Sequence, residues 1–209
     1  MSSLSKPEAI EQLQKETVAA LSALLTEDQT QVVFGEGDPT SPLMLVGEAP
    51  GPQEDKQGRP FVGKSGQLLA ETLALLGLKR EQIWISNTVK VWPNKRSGRR
   101  LKTRPPYAAE KRASRPFFDR EVELIQPKVI ICLGGTAAKA LIGKDFKITK
   151  ERGEWREGPF KIPTLATLHP SYVLRLQGMA PEKGKQALQD FRDDLRCAAI
   201  QAGLLRIGN

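Results

Sequence analysis

Three polar side chains of different chemistry, Glu48, Asn87 and His169, each stand just past a short apolar run: Leu43–Val46, Gln82–Ser86 and Pro163–Thr167. If those runs are parallel strands of one sheet, their carboxyl ends share an edge, and an acid, an amide and an imidazole converge in one cleft. Asn87 both donates and accepts along a planar edge, which suits the O4 and N3–H of a pyrimidine or any other amide-like group. His169 is the chain's single histidine, in His169-Pro170-Ser171-Tyr172. An imidazole there can donate to a leaving group as it becomes negative, a stabilisation that exists only in the transition state. Each residue also has a plain structural reading. Asn is a common turn residue after a strand, a lone His is often incidental, and Glu48 can be a solvated acid.

The stretch from Val46 to Leu69, VGEAPGPQEDKQGRPFVGKSGQLL, organises the rest. A strand entered at Pro42 stops at Gly47, and Pro50-Gly51 continues neither a strand nor a helix. Gly47 and Gly51 let the main chain come close to a ligand. Phe61, in Arg59-Pro60-Phe61-Val62-Gly63, is either a core residue or an exposed ring that stacks on a base, an interaction worth about 1–3 kcal/mol. Glu54 and Asp55 are solvated acids or pins that hold the loop. One histidine and two distant cysteines supply no metal-ligand set, and neither a Walker loop nor a dinucleotide fingerprint is present.

Net charge is +8, and its placement matters more than its size. Lys90 to Arg115 holds ten Lys/Arg against Glu110 alone, a local +9, so the rest of the chain sums to −1. Such a segment suits a polyanion, although a solvated basic loop has the same composition. The 39% hydrophobic and 27% charged content describes a soluble globular protein. No apolar run approaches membrane-spanning length, and MSSLSKPEAIEQLQKE lacks the apolar core of a signal peptide. A cytoplasmic protein is expected, with Cys132 and Cys197 both reduced core thiols.

The elements that must position these groups read as an α/β alternation. Ile10, Leu13, Val18, Leu21 and Leu24 mark an amphipathic N-terminal helix, and Thr30–Phe34 a short strand. Helices are expected over about 65–76, 108–124, 136–142 and 183–202, and a buried strand over Lys128–Leu133. Pro93, Gly98, Pro105 and Pro106 predict irregular chain before Ala108, and residues 146–160 a strand-rich excursion. The expected architecture is one domain over 1–209, three-layer α/β/α around a central four-stranded parallel sheet. An N-terminal helix lies within 1–30 and a basic insertion at 90–107.

The ordered set GEAPG, GRPFVG-x-x-G-x-LL, N-x-VK, PKVI-x-x-LG and HPS-Y-x-LR resembles the uracil-DNA glycosylase superfamily, family four and family X above all. The resemblance implies an enzyme that flips uracil out of DNA and hydrolyses its N-glycosidic bond. On the matching positions, Phe61 would stack on the uracil, Asn87 would read its edge and His169 would stabilise the anion at O2. Glu48, with the backbone of Gly47 and Ala49, would line the pocket and help position water. The stretch Ser171–Arg175 would press into the DNA, and Lys90, Arg99, Arg100 and Lys102 would carry the phosphate contacts with Ser171 and Arg175. The implied partner is uracil-containing DNA, with the chain acting as a monomer away from membranes.

The departures are specific. These branches hold a four-iron cluster on four cysteines, whose positions here fall on Ala20, Ala23, Val91 and Ser114, so no cluster and no other cofactor is expected. The family-X loop histidine that traps DNA covalently is absent from Arg99-Arg100-Leu101-Lys102, and a protonated Lys102 is a poor substitute. Ala49 replaces the water-activating aspartate of the best-studied branch, which points to a dissociative route dependent on the leaving group. The rival readings are a covalent or non-catalytic uracil-DNA binder and a basic module that binds RNA or protein.

Overall fold

The computed structural model describes residues 4–206 of the chain. Helix α1, Lys6–Ser22, is started by Glu8, whose carboxylate accepts the Ser5 amide at 2.8 Å. Strand β1, Leu43–Gly47, enters the short helix α2, Pro52–Gln57, and then α3, Lys64–Leu75. Strand β2, Trp84–Asn87, precedes a two-stranded hairpin, β3 Asn94–Ser97 and β4 Arg100–Thr103. Helix α4 is Ala108–Ile125, β5 Val129–Leu133, α5 Gly135–Leu141 and α6 Ile148–Glu151. Strands β6, Trp155–Glu157, and β7, Pro163–Thr167, lead to α7, Pro170–Met179, and α8, Pro181–Gln201.

The main sheet runs β2-β1-β5-β7-β6. Its first four strands are parallel and β6 pairs antiparallel with β7, so a fifth strand joins the four expected. Alternation along β1 divides the core. Leu43 and Leu45 pack with Leu69 and Leu73 of α3, Val173 of α7 and Phe191 and Leu195 of α8. Met44 and Val46 pack with Leu13 of α1, Phe118 and Val122 of α4 and Ala137 and Ala138 of α5. Both faces are covered, as parallel strands require.

Several sequence expectations are corrected. Residues 30–34 form no strand, although Val33 donates to the Lys90 carbonyl at 2.7 Å and Glu36 makes a single bridge to Ile85. The buried face of α1 is Ile10, Leu13, Thr17 and Leu21, while Val18 and Leu24 are exposed. The 146–160 excursion holds one turn of helix and a single three-residue strand. Cys132 is fully buried, which pushes its thiol up, but Cys197 is exposed and is no core thiol. Among the described residues no helix is long and apolar enough to cross a membrane.

The basic segment is the largest correction. It is an ordered antiparallel hairpin in which Ser97 pairs with Arg100 across a turn where Gly98 takes φ 62°. The base is tied down: Arg104 donates to the Pro93 carbonyl at 2.9 Å, and the Trp92 indole to the Thr103 hydroxyl at 2.9 Å. Gln29 donates to the Trp92 carbonyl at 2.6 Å.

Lys90 is not a surface phosphate contact. Its side chain is fully buried, its ammonium donates to Glu121 and to the Ser86 hydroxyl, and the Phe34 and Phe118 rings flank it at 5.3 and 5.6 Å. Burial pushes its pKa down, and the Glu121 carboxylate opposes this. Glu121 also accepts from the Trp84 indole at 2.7 Å and from Ser86 at 3.0 Å, so the pair is hydrogen-bonded throughout. Lys90→Met, which strands Glu121 in the core, is expected to lose about 3–5 kcal/mol of stability. Thermal melting reads the loss, and Lys90→Met with Glu121→Leu should recover most of it. An unchanged melting point in the single variant would return Lys90 to the surface.

Candidate active site

The carboxyl ends of β1, β2 and β7 open on one cleft of about 620 Å³, and Glu48, Asn87 and His169 all line it. The parallel register explains the convergence, because Gly47 lies opposite Asn87, and Thr167 at the end of β7 opposite Leu133. Past the strand ends, Thr88 donates to the Gly47 carbonyl at 3.0 Å and Val89 to the Glu48 carbonyl at 2.9 Å. The two loops therefore leave the sheet side by side. Ala49, Phe61 and Ser171 also line the cleft. A Cβ on Gly47 would meet both the side-chain Oδ1 of Asn87 and the Phe61 ring, so only glycine lets these two side chains close on β1.

Asn87 is 3% exposed and its Oδ1 has no protein partner. Asn87 lines the cleft, and a buried acceptor there without a protein partner is suited to a donor from a ligand. The Oε1 atom of Glu48 is likewise buried without a partner. Burial raises the Glu48 carboxyl above the usual range, against the Lys111 charge and the nearby Thr136 hydroxyl. Glu54, the second carboxylate of the cleft, differs in kind. It accepts from the backbone of Gly51 at 3.1 Å, Val62 at 2.9 Å and Gly63 at 2.8 Å, so it fastens one loop to the other.

His169 caps α7. Its Nδ1 accepts the Ser171 amide at 3.1 Å and lies 2.7 Å from the Ser171 hydroxyl. An Nδ1 that accepts a backbone N–H carries no proton, which leaves Nε2–H as the donor of a neutral ring. Surrounding protein agrees: burial pushes the imidazole from 6.5 down to about 4, against the Glu54 charge.

Phe61 is 7% exposed and not the open ring the sequence allowed for. Its backbone takes φ 51°, outlying for a bulky residue, and turns the ring inward to lie 6.1 Å from the imidazole, tilted by 34°. What holds that conformation was invisible in the sequence. Arg80 donates to the Phe61 carbonyl at 2.9 Å and also to the Pro60 carbonyl. Glu36 anchors Arg80 at 2.6 Å and Arg59 at 2.7 Å. Burial alone would raise the Glu36 carboxyl, but these two guanidinium groups hold it below its usual range. The partners are 19 to 44 positions apart, and no local pattern links them.

Arg99, Arg100 and Lys102 project into solvent from the hairpin, and Arg175 from α7, where it lies 5.2 Å over the Tyr172 ring. None of these four lines the cleft, whereas Thr103 and Arg104 at the base of the hairpin do. The positions matched to cluster cysteines do not fit an iron–sulfur group. Ala20 and Ala23 are exposed methyl groups, and Val91 is packed with Leu21, Val32 and Val89. The Ser114 hydroxyl accepts the Lys90 amide at 3.1 Å.

Comparison with known proteins agrees with this geometry. The family model described as the uracil DNA glycosylase superfamily matches residues 34–196. The type-4 uracil-DNA glycosylase of Thermotoga maritima is 43% identical over 152 residues, 71% of this chain and 74% of the relative. That of Sulfurisphaera tokodaii is 37% identical over 80% of this chain and 76% of the relative. That of Archaeoglobus fulgidus is 34% identical over 88% of this chain and 91% of the relative. The match begins at Phe34, ends inside α8 and takes in every strand and every cleft residue described above. This chain therefore belongs to the uracil DNA glycosylase superfamily.

Proposed function

We propose that the cleft receives a deoxyuridine flipped out of DNA and that the protein hydrolyses its N-glycosidic bond. The observation that carries this is the neutral imidazole of His169, its Nε2–H free while Nδ1 is held by the Ser171 amide. Breaking the bond from C1′ to the base nitrogen leaves the electron pair on uracil, spread over N1 and O2. A fixed N–H donor at O2 stabilises that charge as it develops, and a neutral donor does so without first attracting the uncharged substrate. Asn87 supplies the matching edge, its open Oδ1 accepting the uracil N3–H and its amide donating to O4. The Phe61 ring covers the face of the base.

Water completes the reaction at C1′, and its proton needs an acceptor. Of the two cleft carboxylates, Glu54 is occupied by three backbone amides, while Glu48 has an oxygen without a partner and a basicity raised by burial. Glu48 therefore orients the water and takes the proton. The products are free uracil and an abasic site. Lys102, the amine considered for covalent capture, is exposed on the hairpin outside the cleft lining.

The hairpin supplies the phosphate contacts. Register places Lys95 directly opposite Lys102, with Arg100 two residues along on the same face. Like charges paired across strands repel unless an anion lies over them. Among the described residues no carboxylate pairs with Lys95, Arg99, Arg100 or Lys102, whereas Arg96 on the other face is bound by Asp28.

Five outcomes test this reading. His169→Ala is expected to lower kcat for uracil release by about 10²–10³-fold with DNA binding retained; unchanged release would remove the imidazole from the mechanism. Because His169 is neutral in the fold, activity should show no histidine step between pH 6 and 7. Its folded value lies below 6.5, so the unfolded chain binds the proton first, and stability should fall as pH drops from 6.5 toward 4. Melting curves at stepped pH read this, and His169→Gln should flatten them.

Arg80→Ala, which frees the Phe61 carbonyl, should lower kcat/KM roughly ten- to a hundredfold by misplacing the ring, with partial rescue by Arg80→Lys. Neutralising Arg99, Arg100 and Lys102 together should reduce the slope of log Kd against log salt by about 2–3. An unchanged slope would move the DNA track off the hairpin.

A further inference from the structure

Next to the cleft mouth the hairpin returns to the body of the protein through Arg104, Pro105 and Pro106, and Tyr107 then caps α4. Arg104 and Pro106 line the cleft. Tyr107 is 61% exposed, which is unusual for a ring whose surroundings are so fixed. Its amide donates to Glu110 at 2.6 Å. The Arg104 guanidinium carbon lies 3.5 Å from its ring centroid, a cation stacked on one face.

Arg104 uses four of its five side-chain N–H donors within the protein. It makes a two-pronged pair with Glu110, both contacts at 2.7 Å, and donates to the carbonyls of Asn94 at 2.9 Å and Pro105 at 3.1 Å. Its side chain is 11% exposed. Its charge is matched and its plane is locked, so what remains is a rigid backing behind the Tyr107 ring. The other face of that ring meets solvent, below a hairpin whose cations attract a nucleic acid backbone.

We infer that Tyr107, backed by Arg104, is a stacking shelf for an unpaired base next to the nucleotide in the cleft. A nucleobase is the occupant that fits both features: it has a π face for the ring, and it arrives on a polyanion drawn by the hairpin. In a duplex the neighbouring bases stay stacked on each other and cannot lie on a side chain. The shelf therefore acts on single strands and on bases that have lost their partner. The nucleotide in the cleft and the identity of the strand as DNA rest on the function proposed above.

Binding of a uracil-free oligothymidylate and of a uracil-free duplex of equal length separates the outcomes. Tyr107→Leu keeps an apolar cover over Arg104 and removes the π face. Its Kd for the single strand should rise roughly tenfold, while its Kd for the duplex should stay within about twofold of the wild type. Tyr107→Trp should restore single-strand affinity, and its added indole emission should be quenched on binding. Equal effects on both DNAs, or on neither, would overturn the shelf, as would an indole that oligothymidylate leaves unquenched. Melting temperatures of both variants exclude misfolding as the cause. Uracil release by the wild type is measured separately: its absence would overturn the proposed reaction and leave the shelf to the binding data.

Discussion

A single carboxylate sets the shape of the cleft. Glu54 accepts three backbone N–H groups, one from the loop after β1 and two from the loop before α3. Those loops carry Glu48 on one side and Phe61 on the other. Neither has regular structure of its own, and the second contains a phenylalanine in a conformation that costs about 1–3 kcal/mol. The Glu54 contacts and the Arg80 grip on the Pro60 and Phe61 carbonyls over-determine that backbone from two directions. The cleft is therefore pre-organised: its shape is present before a ligand arrives, and binding does not have to order it.

Charge is handled in two opposite ways within a few residues of chain. Lys90 is withdrawn into the core and matched by Glu121, Ser86 and two aromatic rings. Four residues later the chain enters a hairpin whose outward cations have no carboxylate partners among the described residues. The first arrangement fixes β2 against α4 and so aims Asn87. The second leaves a field that a polyanion can fill. Sequence counting assigned both to one segment of +9, although only part of that charge faces solvent.

What could be read in the sequence was what local pattern controls. The apolar runs that became β1, β2, β5 and β7 stood out because strands buried on both faces need no alternation, and their common direction placed Glu48, Asn87 and His169 together. The hairpin was hidden because every side chain from Lys95 to Thr103 is exposed, so no apolar period marks it. Lys90 was misread because lysine is a surface residue by default, and its partner lies 31 positions on. The exposure of Cys197 and the burial of Phe61 likewise depend on packing between elements. Arg80 and Glu36 gave no signal because their role is to hold another residue's backbone.

The two ends of the hairpin meet. Arg104 donates to the Pro93 carbonyl, so the chain leaves and re-enters the body of the protein at almost one point, and the indole-to-hydroxyl contact between Trp92 and Thr103 closes that neck. An appendage joined at a closed neck can be shortened, lengthened or exchanged without a change in the path of the strands behind it. The length and charge of the hairpin beyond its Thr103 base can thus change without displacing the strands that carry the cleft. The same neck makes the hairpin a natural place to graft a different recognition element onto an unaltered catalytic body.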